Sequence, residues 1–173
     1  LILIPAAVPP HKQLPEGTPE EAHRLAMTEL TADALMLPQV AEVSDMELAR
    51  GGKSYTSDTL AALHDRYPDA ELWLLMGTDM FLTFQTWHDP AAIASLAGLC
   101  AFGRTEQDGE ELFRPQREFL AREFGAHVTT ITLPGLVDIS STQLRSLLQQ
   151  GLGGEYLLPA VYGYILRNRL YGT

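Results

Sequence analysis

Leu72-Trp73-Leu74-Leu75-Met76-Gly77-Thr78-Asp79 is the stretch that decides the fold. An unbroken apolar run from Leu72 to Met76 is the pattern of a strand buried on both faces of a parallel sheet. A half-solvated strand would alternate apolar and polar residues instead. Gly77 stands at the carboxyl end of the run, where the missing side chain lets a ligand approach the backbone. Asp79 has two readings. It can accept from ribose hydroxyls, or it can cap the short helix that follows, and the cap is the commoner use of an aspartate there.

The same pattern recurs on both sides. Residues 1–4, 40–43, 99–102 and 128–133 read as further strands, the last rich in β-branched residues. Helical spacing fills the intervals. One helix is expected from Thr18, with Pro19 at its first position and Glu21 completing a capping box. Others start near Thr56, cover 90–97, carry Phe119, Leu120 and Phe124, open near Ser141, and run from about Pro159. Strands alternating with helices, without repeats or a linker, give one domain over residues 1–173: a doubly wound α/β domain with a parallel sheet. Ligands of such sheets bind beyond the carboxyl ends of the strands. The segments to inspect are therefore 5–12, 44–56, 77–87, 103–104 and 133–142.

Composition narrows the function. A chain of 173 residues with 46% hydrophobic content builds one sizeable core. The net charge is -10 and the twelve basic residues form no run, which argues against a nucleic-acid surface. Anionic substrates must then be met by bases gathered locally. Cys100, the one cysteine, lies in an apolar run and reads as a small core residue without a disulfide partner. That usage fits a reducing, cytoplasmic setting. No apolar stretch reaches the length of a membrane span, and no signal peptide is legible.

Two segments carry cationic or hydroxyl chemistry. In Asp138-Ile139-Ser140-Ser141-Thr142-Gln143-Leu144-Arg145, three hydroxyls open a helix whose first-turn amides and dipole attract anions. Arg145 follows Thr142 by one turn and shares its face. A plain Ser/Thr cap is the competing reading. Pro9-Pro10-His11-Lys12 sets an imidazole and an ammonium at the sheet's edge, either as phosphate partners or as a solvated loop. Trp87, beside His88, either stacks on a flat heterocycle or belongs to the core. The chain has no phosphate-binding or dinucleotide glycine motif, no nucleophile elbow, and no zinc spacing among its five scattered histidines.

Taken in order, Ile4-Pro5-Ala6-Ala7-Val8-Pro9-Pro10-His11-Lys12, Ser54-Tyr55-Thr56-Ser57-Asp58-Thr59-Leu60, Met76-Gly77-Thr78-Asp79 with Thr86-Trp87, Arg104, and Ile139-Ser140-Ser141-Thr142-Gln143-Leu144-Arg145 resemble the bacterial nicotinate-nucleotide adenylyltransferases over essentially the whole chain. The resemblance implies a Rossmann-like nucleotidyltransferase fold and adenylyl transfer from ATP to nicotinate mononucleotide. The products are deamido-NAD and pyrophosphate, in NAD biosynthesis. It assigns Thr56, Trp87 and the backbone at His88 to the nicotinate and its carboxylate, and Gly77 and Asp79 to the sugar and phosphate region. His11, Lys12 and Arg145 would neutralise phosphates as the catalytic cations. Arg104, Ile139, Ser140, Ser141 and Thr142 would hold ATP. Mg²⁺ would travel with the nucleotide, without dedicated protein ligands. A homo-oligomer is left open.

The family begins with a strand and an H-x-G-H motif that this sequence does not contain. The resemblance starts at the family's second strand, so a chain of these residues alone is expected to be N-terminally incomplete and a poor catalyst. Two alternatives stand beside this reading. One is a sister nucleotidyltransferase acting on nicotinamide mononucleotide, phosphopantetheine or a cytidylyl substrate. The other is a non-catalytic nucleotide-binding module. Thr56 with Trp87 argues against the first, because that pair suits a flat pyridine carboxylate.

Overall fold

A computed structural model describes residues 1–10, 14–34, 40–103, 108–131 and 139–173. In chain order its elements are β1 (Ile2–Leu3), α1 (Glu21–Ala34), β2 (Glu42–Val43), α2 (Met46–Arg50), α3 (Thr56–Arg66), β3 (Trp73–Gly77), α4 (Thr78–Leu82), α5 (Pro90–Leu96), β4 (Gly98–Phe102), α6 (Glu110–Phe124), β5 (Val128–Ile131), α7 (Ser141–Gln149) and α8 (Pro159–Arg167). The strands pair in parallel, as an α/β chain with helical crossovers requires. They form a two-stranded sheet, β1-β2, and a three-stranded sheet, β3-β4-β5. The chain divides into two compact units, Leu1–Ser54 with Ile139–Thr173, and Tyr55–Asp138.

In the first unit, Ile2 pairs with Glu42 and Leu3 with Val43. Past β1 the chain stays tied to its neighbour. Val8 bridges Lys53, and the Ala7 amide donates to Ser54 Oγ at 2.9 Å. Arg24 of α1 holds the same loop by donating to the carbonyls of Ala6 and Ala7. Leu148, Val161, Ile165 and Leu170 form a buried cluster, with Met27 and Leu30 of α1 packed against it. His23 Nδ1 lies 2.9 Å from the Tyr164 hydroxyl and fastens α1 to α8.

In the second unit, Leu74 pairs with Leu99 and Leu99 with Val128. Met76, Leu99 and Ala101 are buried, together with Phe81, Ile93, Phe113 and Leu120 from the helices. Local sequence sets the helix ends. Asp89 caps α5 by accepting the Ala92 amide at 3.1 Å, with Pro90 following at the first position. Gly125, at φ 64°, ends α6 and donates back to Leu120 and Ala121. Tyr67 leaves the helical region one residue before Pro68, which disfavours α geometry in its predecessor.

Four expectations are corrected. The apolar run of β3 is not buried on both faces. Its side chains alternate, with Met76 4% exposed against 40% for Trp73 and 50% for Leu75. The sheet register puts Leu75 beside Cys100, so Cys100 shares the more open face and is half-buried rather than a core residue. Its partial burial still pushes the thiol's pKa upward. Residues 2–4 are likewise half-buried and Leu1 is exposed. Finally, Thr18 does not cap α1. Its amide and hydroxyl both donate to the Pro15 carbonyl, at 3.0 and 2.6 Å, closing a separate turn. The Glu20 carbonyl instead accepts the first amides, from His23 and Arg24.

Candidate active site

The described candidate residues fall at the starts of α3 and α4 and on the 87–88 loop in the second unit, and at the start of α7 in the first. In the second unit α3 opens at Thr56. Tyr55 precedes it in extended conformation and supplies no side-chain cap, so the first-turn amides are not closed by it. Thr56 is half-buried and Ser57 buried. The 87–89 loop meets this helix start through His88. The Tyr55 and His88 rings stack with centroids 4.1 Å apart and planes at 28°, and Ser57 Oγ lies 3.2 Å from His88 Nδ1.

Each neighbour of His88 is held independently. The Trp87 amide donates to the Phe84 carbonyl at 3.0 Å, and its half-buried ring lies 5.6 Å from that of Phe84. Asp89 adopts φ 51°, a left-handed conformation that its role as the α5 cap stabilises. The His88 imidazole is thus seated at the α3 start, one residue after Trp87.

Gly77 is buried and is itself the cap residue of α4. The cap role considered for Asp79 is therefore corrected. Asp79 is the second residue of the helix, exposed, and its carbonyl accepts the Thr83 hydroxyl at 2.7 Å. The buried neighbour Thr78 donates to Asp108 Oδ2 at 2.5 Å. Asp108 backbone and Cβ also lie where a side chain on Gly103 would sit, 2.7 and 2.8 Å from its would-be Cβ. Gly103 is small because that approach requires it.

In the first unit α7 begins after Ser140. The Ser140 hydroxyl accepts the Gln143 amide at 3.2 Å and the Gln143 side chain accepts the Ser140 amide at 2.8 Å, a complete capping box. The Leu144 amide is already bonded to the Ser140 carbonyl. That leaves the amides of Ser141 and Thr142 as the first-turn donors outside the box, beside two exposed hydroxyls. Arg145 reaches Thr142 Oγ1 at 3.4 Å, so the one-turn spacing does bring cation and hydroxyl together.

Ser141 and Arg145 also line a mainly apolar cavity of about 440 Å³ that includes Arg24 and Tyr171. Burial raises the Tyr171 pKa against the opposing pull of Arg145 and Arg24. Arg24 Nε is buried without a hydrogen-bond partner among the described residues. Ile139, half-buried, precedes the cap. His11, Lys12 and Arg104 lie outside the described residues.

Sequence reasoning missed Tyr55, Ser57, Thr78, Asp108 and Arg24. Tyr55 and Ser57 flank Thr56 in the chain, yet their partner is 31 or more residues away, and nothing local marks that pairing. Among the described residues no three His, Cys, Asp or Glu side chains cluster as a metal site, and no helix is long and apolar enough to cross a membrane.

No family model matches the chain. Comparison with curated proteins finds relatives named probable nicotinate-nucleotide adenylyltransferase. The one from Lachnoclostridium phytofermentans is 33% identical over 172 residues, covering 99% of this chain and 83% of the relative. The one from Herpetosiphon aurantiacus is 38% identical over 172 residues, covering 99% and 82%. Among solved structures, the Plasmodium falciparum nicotinic acid mononucleotide adenylyltransferase complexed with NaAD superposes with a TM-score of 0.77 at 18% identity, over 98% of this chain and 81% of that one. The same enzyme complexed with APC gives a TM-score of 0.69 over 88% and 76%. At that identity the likeness shows a shared Rossmann-like fold.

Proposed function

The chain belongs to the nicotinate-nucleotide adenylyltransferase family, and from that membership we propose how its residues divide the reaction between them. The activity is adenylyl transfer from ATP to nicotinate mononucleotide in NAD biosynthesis. A phosphate oxygen of the mononucleotide attacks the α-phosphorus of ATP. The new P–O bond forms as the bond from that phosphorus to the bridging oxygen breaks, and pyrophosphate leaves with that electron pair. Deamido-NAD is the product, and no covalent enzyme intermediate is needed. Catalysis rests on alignment and on neutralising charge at the phosphates.

The observation that carries the assignment of residues is the meeting of the α3 start with the 87–88 loop. Thr56 and the His88 backbone amide take the nicotinate carboxylate, and the Trp87 face takes the pyridine ring. Gly77 offers backbone approach for the mononucleotide, with Asp79 directed to its hydroxyls. The Ser141 and Thr142 amides and hydroxyls, with Arg145, bind ATP phosphate. Ser140 contributes by shaping that turn, and Ile139 by leading into it. His11 and Lys12 are assigned as further phosphate cations and Arg104 as an ATP contact. Mg²⁺ enters as part of the MgATP substrate, and no residue is assigned to hold it. A cytoplasmic location follows from the NAD-biosynthetic role.

The test is titration of nicotinate mononucleotide at saturating MgATP with Trp87→Ala and Thr56→Val. Loss of a stacking aromatic costs about 1–3 kcal/mol, so Trp87→Ala raises KM about fivefold to 150-fold. Thr56→Val raises it about tenfold or more through a lost hydrogen bond to a charged acceptor. Unchanged KM in both variants would remove the pyridine site from this place.

A further inference from the structure

Resting on that assignment, we infer that Ser57, Tyr55 and the His88 side chain form a clamp that sets selectivity for the pyridine carboxylate. The clamp positions the His88 backbone and touches no substrate itself. Three observations carry it. Ser57 is 8% exposed, and its hydroxyl lies 3.2 Å from His88 Nδ1. The Tyr55 ring covers the imidazole at 4.1 Å in a near-parallel stack. His88 is otherwise exposed, so core packing does not explain where its ring sits.

Trp87 and Asp89 are fixed by bonds of their own, to Phe84 and to the α5 amide of Ala92. His88 is the remaining link between them, and Ser57 with Tyr55 supply its restraint. Thr56 lies between those two residues in the chain. Any shift of the clamp therefore alters the spacing between Thr56 and the His88 amide, the two groups assigned to one carboxylate. A carboxylate accepting from both needs that spacing held. An uncharged carboxamide at the same ring position gains less from it, because hydrogen bonds to a charged acceptor are the stronger ones.

Ser57 and Tyr55 are thus positioning residues, and the signature is a split between kinetic constants. The experiment is steady-state turnover of the full-length protein with nicotinate mononucleotide and nicotinamide mononucleotide at saturating MgATP. The variants are Ser57→Ala, Ser57→Thr, His88→Phe and the double variant Ser57→Ala/His88→Phe. His88→Phe keeps the stack on Tyr55 and removes the hydrogen bond, and its exposed position spares the core.

Ser57→Ala and His88→Phe should each raise KM for nicotinate mononucleotide about threefold to tenfold, the scale of one hydrogen bond. kcat and the KM for the nicotinamide substrate should change less. Ser57→Thr should restore the wild-type KM, and the double variant should be no worse than either single change. Equal shifts for both substrates, strictly additive effects, or a KM unmoved in Ser57→Ala and His88→Phe would overturn the clamp while the wild-type activity stands. No wild-type turnover of nicotinate mononucleotide would overturn the assignment beneath it as well.

Discussion

Arg145 lies within 3.4 Å of the Thr142 hydroxyl, next to the two first-turn amides outside the capping box. A cation there adds a charge-assisted contact to an anion that the helix start already favours. Arg145→Ala should lower kcat/KM for MgATP about 10- to 100-fold, from the roughly 1.5–3 kcal/mol of such a contact, with a much smaller effect on KM for nicotinate mononucleotide. Titration of each substrate at saturation of the other checks it. Residue identity made this legible, because one-turn spacing on a helix forces Thr142 and Arg145 onto one face. Ser57 and His88 were not legible together. Their approach depends on how α3 and the 87–89 loop fold over 31 intervening residues.

Elements were read well where local chemistry ends them. Pro68 and Pro90 each fix a helix boundary through backbone restriction. The start of α1 departs from the expected cap because Thr18 spends both its donors on Pro15, a choice between two local partners that the sequence alone does not rank. Over the described residues the strands lie where the apolar runs place them, residues 132 and 133 of the last run falling outside, but their burial differs. A run such as Trp73-Leu74-Leu75 is apolar whatever covers it, and Leu75 stays half exposed.

Within α7, adjacent serines have different duties. Ser140→Ala breaks the capping box and should cost about 1 kcal/mol of stability, read as a lower denaturant midpoint. Ser141 is exposed and outside the box. Ser141→Ala should leave the midpoint in place and raise KM for MgATP. The reverse pattern would exchange the roles assigned to the two hydroxyls.

At the scale of the molecule, parallel pairing and alternating helices follow from the apolar runs. The grouping of strands into β1-β2 and β3-β4-β5 does not, because strand order depends on contacts distant in sequence. The α3 and α4 starts, proposed for the mononucleotide, belong to the second unit, and the α7 start, proposed for the ATP phosphates, to the first. The family is legible in the sequence, and relatives at 33% and 38% identity are named as members of it.

The central claim is that the protein joins ATP to a pyridine mononucleotide and selects the carboxylate form. Its most direct test is pyrophosphate release by the full-length protein with MgATP, given nicotinate mononucleotide or nicotinamide mononucleotide in parallel. The account predicts deamido-NAD and pyrophosphate in equal amounts from nicotinate mononucleotide, with kcat/KM at least about tenfold above that for the nicotinamide form, since the charged acceptor gains about 1.4 kcal/mol or more. Absence of deamido-NAD, or equal or better use of nicotinamide mononucleotide, would contradict it.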